Sequence, residues 1–254
     1  MDFPQPKPPA ADAESVFERI WEIRDDLVRR VWGTFSAVYV QRAAAEAGPY
    51  VYVSEIAPAA QATPADRWTY VTGGLALPWT ADLTEVNPDD YTATVDAVTP
   101  TGQVPEPADE LWSGSGFEIV LHAPERAPWA VPLLHNLGQY VLTSGDGFAP
   151  GHRIPLGGPI VRDSDSALQV LLFVPPADRA PRFRLPSGLG QWLVALGITA
   201  DEWAYAQQDG SAALLRALRY AGLADRTDPT RASVFPQSQS DAIHEGHEDI
   251  EAGS

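Results

Sequence analysis

Between Ala13 and Trp32 the apolar residues Val16, Phe17, Ile20, Trp21, Leu27, Val28 and Val31 recur at steps of three and four, the spacing that lines one face of a helix. This pattern predicts an amphipathic helix over 13–32. SAVYVQRAAAEAG, which follows, reads as a continuation or restart of that helix, with Gly48-Pro49 as its stop signal. The period then changes. YVYVSEI (50–56) alternates as a strand does, and WTYVTGG (68–74) puts Trp68, Tyr70 and Thr72 on one face and Thr69 and Val71 on the other. If such a sheet is covered on one side, only one of these faces is wholly buried.

Residues 78–112 read as an insertion: YTATVDAV (91–98) has strand character but is flanked by Pro, Asp and Gly. FEIVLH (117–122) is a clearer strand. A helix is expected from about Pro128, with Trp129, Leu133, Leu137, Tyr140 and Val141 on its inward stripe. The turn SGDGFAPGHRI (144–154) comes next, then GGPIV as a short strand and ALQVLLFV (167–174) as a central buried one. Thr199-Ala200-Asp201-Glu202 has the capping-box pattern and opens a helix to about Gln208. Ser211 is the expected cap of a last helix that ends at Gly222. No repeat and no clear linker appears between about 49 and 223, so the fold class is α+β: one mixed domain with a central mixed sheet flanked by helices, plus an N-terminal helix. The expected layout is a disordered N-terminus (1–12), a helical extension (13–48), the domain (49–223) and a disordered acidic tail (224–254).

Composition narrows the chemistry. The chain of 254 residues has no cysteine, which removes disulfides, thiolate metal sites and cysteine nucleophiles. No apolar run approaches the roughly 20 residues that cross a bilayer, and the N-terminus lacks the basic start and apolar centre of a signal peptide. The cytoplasm is therefore the expected compartment. A formal charge of −17 argues against nucleic acid or anionic lipid as a partner, since both need a basic patch. It favours solubility, a monomer and, among partners, a basic protein. The last fourteen residues hold five acids and no base, which leaves −12 on the rest, so the acidity is not a tail effect.

Within the glycine-rich turn, Ser144, Asp146, His152 and, beyond it, Asp163 hold the side-chain types of a hydrolase. The setting does not fit: a nucleophilic serine of that kind stands on a strand-to-helix elbow, G-x-S-x-G, whereas Ser144 follows a helix. A shaped turn explains the same residues, with Gly145 and Gly147 supplying positive φ and Asp146 bonding nearby backbone. His135 falls opposite the apolar stripe of its helix and is expected in solvent; His122 ends a strand before Ala-Pro and is placed either to bond locally or to contribute to a surface. His244 and His247 lie in an acidic tail without rigid geometry for zinc, so no metal site is expected. GLGQWL (188–193) resembles a dinucleotide fingerprint but has Leu193 where the third glycine belongs, so no cofactor is expected. Trp68, Tyr70, Trp79, Trp112 and Phe117 cluster near strands, where aromatics serve a core or line a groove.

In order, RWTYVTGGL, SGSGFEIVLHAP, PWAVPLLHNLGQYVLTSGDGFAPGHRIPLGGPI, SALQVLLFVPP, RFRLPSGLGQWLVALGIT and TADEWAYAQQDGSAALLRAL resemble the Suppressor of fused domain, in particular its single-domain bacterial members. The resemblance covers roughly 49–222, and its most specific parts are the G-F-E strand, the helix after it and S-G-x-x-F-x-P-G-H-x-I. It implies a protein-binding domain with no enzymatic role. Animal relatives grip a short extended peptide between two domains, and bacterial relatives are taken to be immunity proteins against toxins or accessory domains of unknown partner. The chain departs from that pattern in its long N-terminal helix, its 78–112 insertion and its lack of the second animal domain. The leading expectation is an immunity-type protein that neutralises a basic toxin domain. The alternatives are an intracellular adaptor that sequesters a transcription or signalling factor through a peptide strand, and, last, a hydrolase. The protein-binding candidates, taken from the matching blocks, are Trp68, Tyr70, Thr72, Phe117, Glu118, Asp146 and His152.

Overall fold

A computed structural model describes residues 13–40, 50–59, 67–78, 93–95 and 111–235. The periodic N-terminal segment forms α1 (Ala13–Trp32), whose Val16, Ile20, Ile23, Leu27 and Val28 are buried. The helix ends at Gly33, which takes φ +121 and donates its N–H to Arg29 O. The chain does not continue as helix. Ala37–Val40 is instead a strand, β1, because AVYV alternates and pairs antiparallel with β2 (Tyr52–Ile56) from Ala37↔Glu55 to Val40↔Tyr52. Residues 1–12, 41–49, the expected tail beyond 235, and within it His244 and His247, lie outside the described residues.

The strands β3 (Trp68–Gly73), β4 (Thr94–Val95), β5 (Trp112–Ala123), β6 (Arg153–Pro155), β7 (Leu168–Val174), β8 (Arg182–Leu185) and β9 (Gly188–Thr199) complete a mixed sheet. Its order is β1-β2-β3-β5-β9-β7-β6, with β8 also on β9 and β4 on β8. The pair β5–β9 is parallel and the others are antiparallel. Of the expected 78–112 insertion, Trp79 and most of the 91–98 run lie outside the described residues; Thr94 and Val95 pair with Arg184 and Phe183, and the segment's end at Trp112 already belongs to β5.

Both faces of the sheet are covered, so the condition of one-sided cover does not apply and Thr69–Thr72 are buried on both faces. The two-residue alternation divides β9 between them: Trp192, Val194, Leu196 and Ile198 face a core shared with α1, α3 (Ala200–Asp209) and α4 (Ser211–Tyr220). Leu193 and Ala195 face a second core under α2 (Ala130–Ser144). On β5, Val120 belongs to the first core and Phe117, Ile119 and Leu121 to the second. Strands buried on both faces lose the polar alternation that makes a strand visible in a sequence.

Three further expectations change, and one unassigned segment forms a strand. GGPIV is a turn around Gly157 (φ +73), and the strand after the glycine-rich loop is β6. The segment 188–199 is a largely buried strand of twelve residues, as long as β5, and Gly190 and Gly197 are there for packing: a Cβ on Gly190 would strike the Phe183 ring, and one on Gly197 would lie 2.8 Å from Leu168 and from Thr227. In α2 the buried residues are Ala130, Leu134, His135, Leu137, Gly138 and Val141; Trp129 and Leu133 pack partly buried against the same core, and Tyr140 is exposed. Gly138 rests directly on Val51, which rotates His135 into the protein, where Nε2 lies 3.1 Å from Tyr39 O. Ser211 does not cap α4; Gly210 holds that position without a side-chain bond, and the Ser211 hydroxyl donates to Gly151 O at 2.8 Å.

The capping box forms as the pattern requires: the Glu202 N–H donates to the Thr199 hydroxyl and the Thr199 N–H to the Glu202 carboxylate. Glu202 also anchors the segment after Ala224, which up to Phe235 is not a tail. Arg231 makes two bonds to it, Nη1 to Oε1 at 2.7 Å and Nη2 to Oε2 at 2.6 Å, and both residues are buried. Thr227 reinforces the contact by accepting the Gly197 N–H and donating to Ala195 O.

The packing role of Gly190 has a direct consequence. Gly190→Ala should cost roughly 1–3 kcal/mol through overpacking against Phe183, whereas Gly158→Ala, with no atom within 4 Å of the added carbon, should leave the urea midpoint nearly unchanged.

Candidate functional site

The glycine-rich loop is built from both ends. At its start Gly145 takes φ +76 and donates its N–H to Val141 O at 3.0 Å, which closes α2. The Ser144 hydroxyl oxygen accepts the Asp146 N–H at 3.0 Å and tightens the turn. Gly147 is not among the positive-φ glycines; the second left-handed position falls at Gly151 (φ +89). In the middle, Phe148 is buried and stacks on Phe173 at 4.5 Å and on Tyr140 at 6.0 Å, with the Phe117 ring 5.9 Å away. At its end the Gly151 N–H reaches Phe173 O and the Phe173 N–H reaches His152 O, so the chain joins the sheet as β6.

These constraints leave a groove of about 440 Å³ between the loop, β6 and α3, lined by Tyr140, Asp146, Phe148, His152, Arg153 and Trp203 among others. Asp146 and His152, both sequence candidates, are thus brought together, and Phe117 supports the groove from beneath through Phe148. The Asp146 carboxylate accepts the Tyr140 hydroxyl at 3.3 Å instead of local backbone. Asp146 and His152 share no hydrogen bond, and Asp163 is in a separate turn with φ +58. Ser144, Asp146 and His152 are not assembled as nucleophile, base and orienter. Among the described residues no group of three His, Asp or Glu side chains is placed to hold a metal.

The other candidates lie mostly in the interior. Tyr70, Thr72, Phe117 and Glu118 are buried, because the strands that carry them are covered on both sides. Trp68 is half-buried, with the Arg126 guanidinium 5.7 Å from its ring centre. The Tyr70 hydroxyl accepts the Ala127 N–H at 2.7 Å, and burial pushes its pKa up to about 12 against the lowering effect of that bond.

Thr72 and Glu118 belong to a buried polar knot. Glu118 Oε1 accepts the N–H groups of Gly74 at 3.2 Å and Ala76 at 3.1 Å, and Oε2 accepts the Thr72 hydroxyl at 2.7 Å. Arg24 of α1 brings its Nε to 3.4 Å from Oε1, donates to the Tyr52 hydroxyl and to Asp25, and donates a further short bond to Thr72 O. Burial pushes the Glu118 carboxyl up, while Arg24, Thr72 and the two N–H groups pull it down. Every neighbour on its oxygens is a donor, so the carboxylate is the form that fits. Burial also opposes the Arg24 charge, yet Tyr52, Glu118 and Asp25 hold its pKa above the ordinary value.

The sequence missed Arg153, Phe148 and Trp203 and placed Tyr140 on the inward stripe. The available signal was Trp203, a large aromatic in the first turn of a helix, but nothing local says that this helix, which packs on β7 and β9, brings Trp203 beside β6.

Residues 53–232 match the Suppressor of fused protein (SUFU) family. The chain belongs to the Suppressor of fused family. In fold it is similar to a chain of the Sufu–Fu complex crystal structure, at 19% identity and TM-score 0.59, over 90% of this chain and 94% of that one. It is similar to Drosophila Suppressor of Fused at 17% identity and TM-score 0.58, over 87% of this chain and 50% of that one, and so spans about half of the Drosophila protein. A SUFU homolog from Neisseria gonorrhoeae FA 1090 matches at 16% identity and TM-score 0.53, over 89% of this chain and 100% of that one. No curated protein matches the chain by sequence. In Suppressor of fused the domain is one of protein binding. Here the glutamate of the G-F-E strand draws its counter-charge from Arg24, outside the matched residues, so α1 is an integral part of this Suppressor of fused fold.

Arg24→Met removes one partner of a wholly buried pair and should cost roughly 3–5 kcal/mol in urea unfolding; a loss below about 1 kcal/mol would contradict the integral role of α1. A second expectation concerns His122, which is buried with Nδ1 2.9 Å from the Thr69 hydroxyl and its ring 5.2 Å from that of Trp32. Burial, then Arg67 and Arg179, hold its pKa well below the ordinary 6.5, with Asp178 opposing. The unfolded chain takes this proton near pH 6.5 and the folded chain refuses it, so the contribution is intact above about pH 7 and is lost as the pH falls. Between pH 7.5 and 5.5 the protein should lose about 1.4 kcal/mol more than His122→Gln does, read from urea midpoints.

Proposed function

We propose that this chain is a non-enzymatic protein-binding domain that receives an extended segment of a partner in the groove between β6 and α3. The observation that carries this reading is the groove itself, where an edge strand lies beside two partly exposed aromatics, Tyr140 of α2 and Trp203 of α3, next to a loop fixed by the Phe148 stack. β6 ends the sheet order, and its pairing to β7 uses His152 O and the Leu156 N–H. By the antiparallel alternation, the Arg153 N–H and C=O then point away from β7, toward an added strand. Pro155 has no N–H, which keeps the addition short and protects the edge from uncontrolled pairing.

The biological role we propose is immunity-type neutralisation of a basic toxin domain. The charge of −17 supports it, since such a field speeds the approach of a basic partner and repels acidic ones. The free edge of β6 favours a second reading, an adaptor that holds a peptide strand of a regulatory protein. Both readings place the contact in one groove.

With the partner recovered from the native organism, Trp203→Ala and Tyr140→Ala should each weaken binding at least about 30-fold, as central aromatic anchors do, without lowering the melting temperature by more than a few degrees. Unchanged affinity in both variants removes the groove from the interface. Recovery of a folded basic toxin, bound more slowly as salt rises, supports neutralisation; recovery of a regulator whose short unstructured segment carries all the affinity supports the adaptor.

A further inference from the structure

We infer that the groove selects a partner segment carrying an acidic side chain, held by the guanidinium of Arg153 with His152 beside it. This inference rests on the groove being the docking site. Arg153 is more than half buried, and its Nη1 is shut off from solvent without a hydrogen-bond partner. Among the described residues it forms no ion pair, hydrogen bond or ring contact. Exposed Arg162, Arg216 and Arg219 need no partner, but buried or half-buried Arg24, Arg67, Arg179 and Arg231 all have carboxylate partners in a chain with twice as many acids as bases.

The acid in the same groove does not neutralise it: the Asp146 carboxylate is engaged by the Tyr140 hydroxyl. The His152 ring has no hydrogen-bond partner among the described residues either, although its backbone carbonyl is used in the β6–β7 pairing. A buried donor left unpaired is costly, and a planar guanidinium is matched best by a carboxylate that accepts two of its N–H groups. The aromatic walls, Trp203 and Tyr140, exclude water from such a pair and suit apolar residues flanking the acid. The long-range field of the chain therefore favours a basic partner, while the groove asks for one acid within the docked segment. The two demands act at different ranges and together narrow the partner: a basic protein with an extended segment in which a single Asp or Glu sits among apolar residues.

The test is selection of a phage-displayed random heptapeptide library on the full chain, with Trp203→Ala as the groove control. Selected peptides should carry Asp or Glu at one fixed position between apolar residues and lose binding to Trp203→Ala. A synthetic peptide from that set should bind at least about tenfold more tightly than its Glu→Gln counterpart. That ratio should fall to near one on Arg153→Gln, with folding checked by thermal melting. Because the Glu→Gln change is made in the peptide, the ratio on the unaltered protein remains decisive even if Arg153→Gln does not fold. Peptides that depend on Trp203 but show no acidic preference overturn the acid-selecting role while leaving the groove as the docking site. A library that yields no Trp203-dependent peptide overturns both.

Discussion

The fold depends on a buried ion pair that bridges two parts of the chain with different sequence characters. Glu118 sits at the centre of the sheet with no water to solvate it, so the structure must supply donors, and it does so from Thr72, Gly74, Ala76 and Arg24. The first three fix the turn after β3 against β5. Arg24 fixes α1 over the same face, and Tyr52 and Asp25 complete its shell. A pair of this kind adds little net stability over a well-packed apolar one, but leaving either member alone is expensive. It therefore acts as a register device: α1 can dock in one place, because only there does its guanidinium meet the carboxylate. The Arg231–Glu202 pair works the same way at the other end, pinning the segment after α4 to the helix start that the capping box creates.

On that frame the second core determines the groove. Phe148 stacks between Phe173 and Tyr140, so the loop after α2 is held by its middle as well as its ends. The chain must then rejoin the sheet at Gly151 as a three-residue edge strand, and the Ser211 hydroxyl ties that point to the start of α4. An edge strand, a fixed loop and a helix meet with a space between them. Rigid surroundings reduce the ordering a partner must impose on binding, which favours recognition of an extended segment over a surface that would have to be shaped first.

What the sequence disclosed followed from periodicity and capping chemistry. The steps of three and four in α1, the Thr199–Glu202 box and the left-handed Gly145 and Gly222 are local patterns, and each forms as expected. β7, apolar toward both faces, was legible as an unbroken apolar run, whereas β9 escaped because the glycines it carries for close packing against Phe183, Leu168 and Thr227 interrupt that run and resemble a dinucleotide-binding turn. The candidate site split along the same line. Tyr70, Thr72, Phe117 and Glu118 stand in family-specific blocks because they build the core, and alternation alone does not say how many faces of a sheet are covered. Asp146 and His152 were found through the loop's unusual composition. Arg153 and Trp203 are joined only by topology, when α3 packs on β7 and β9 and brings Trp203 to the edge at β6, and no local pattern carries that information.

The claim that most of the functional account rests on is that an extended segment pairs with the outer edge of β6. Amide hydrogen exchange at Arg153, followed by NMR in the free chain and in its complex with the recovered partner, tests it at a single atom. The account predicts an N–H that exchanges freely in the isolated chain and becomes strongly protected in the complex, while the interior amides of β9 stay unchanged. Equal exchange of Arg153 in both states, with new protection confined to the β1 edge or to the exposed face of α1, would place the partner elsewhere and contradict the account.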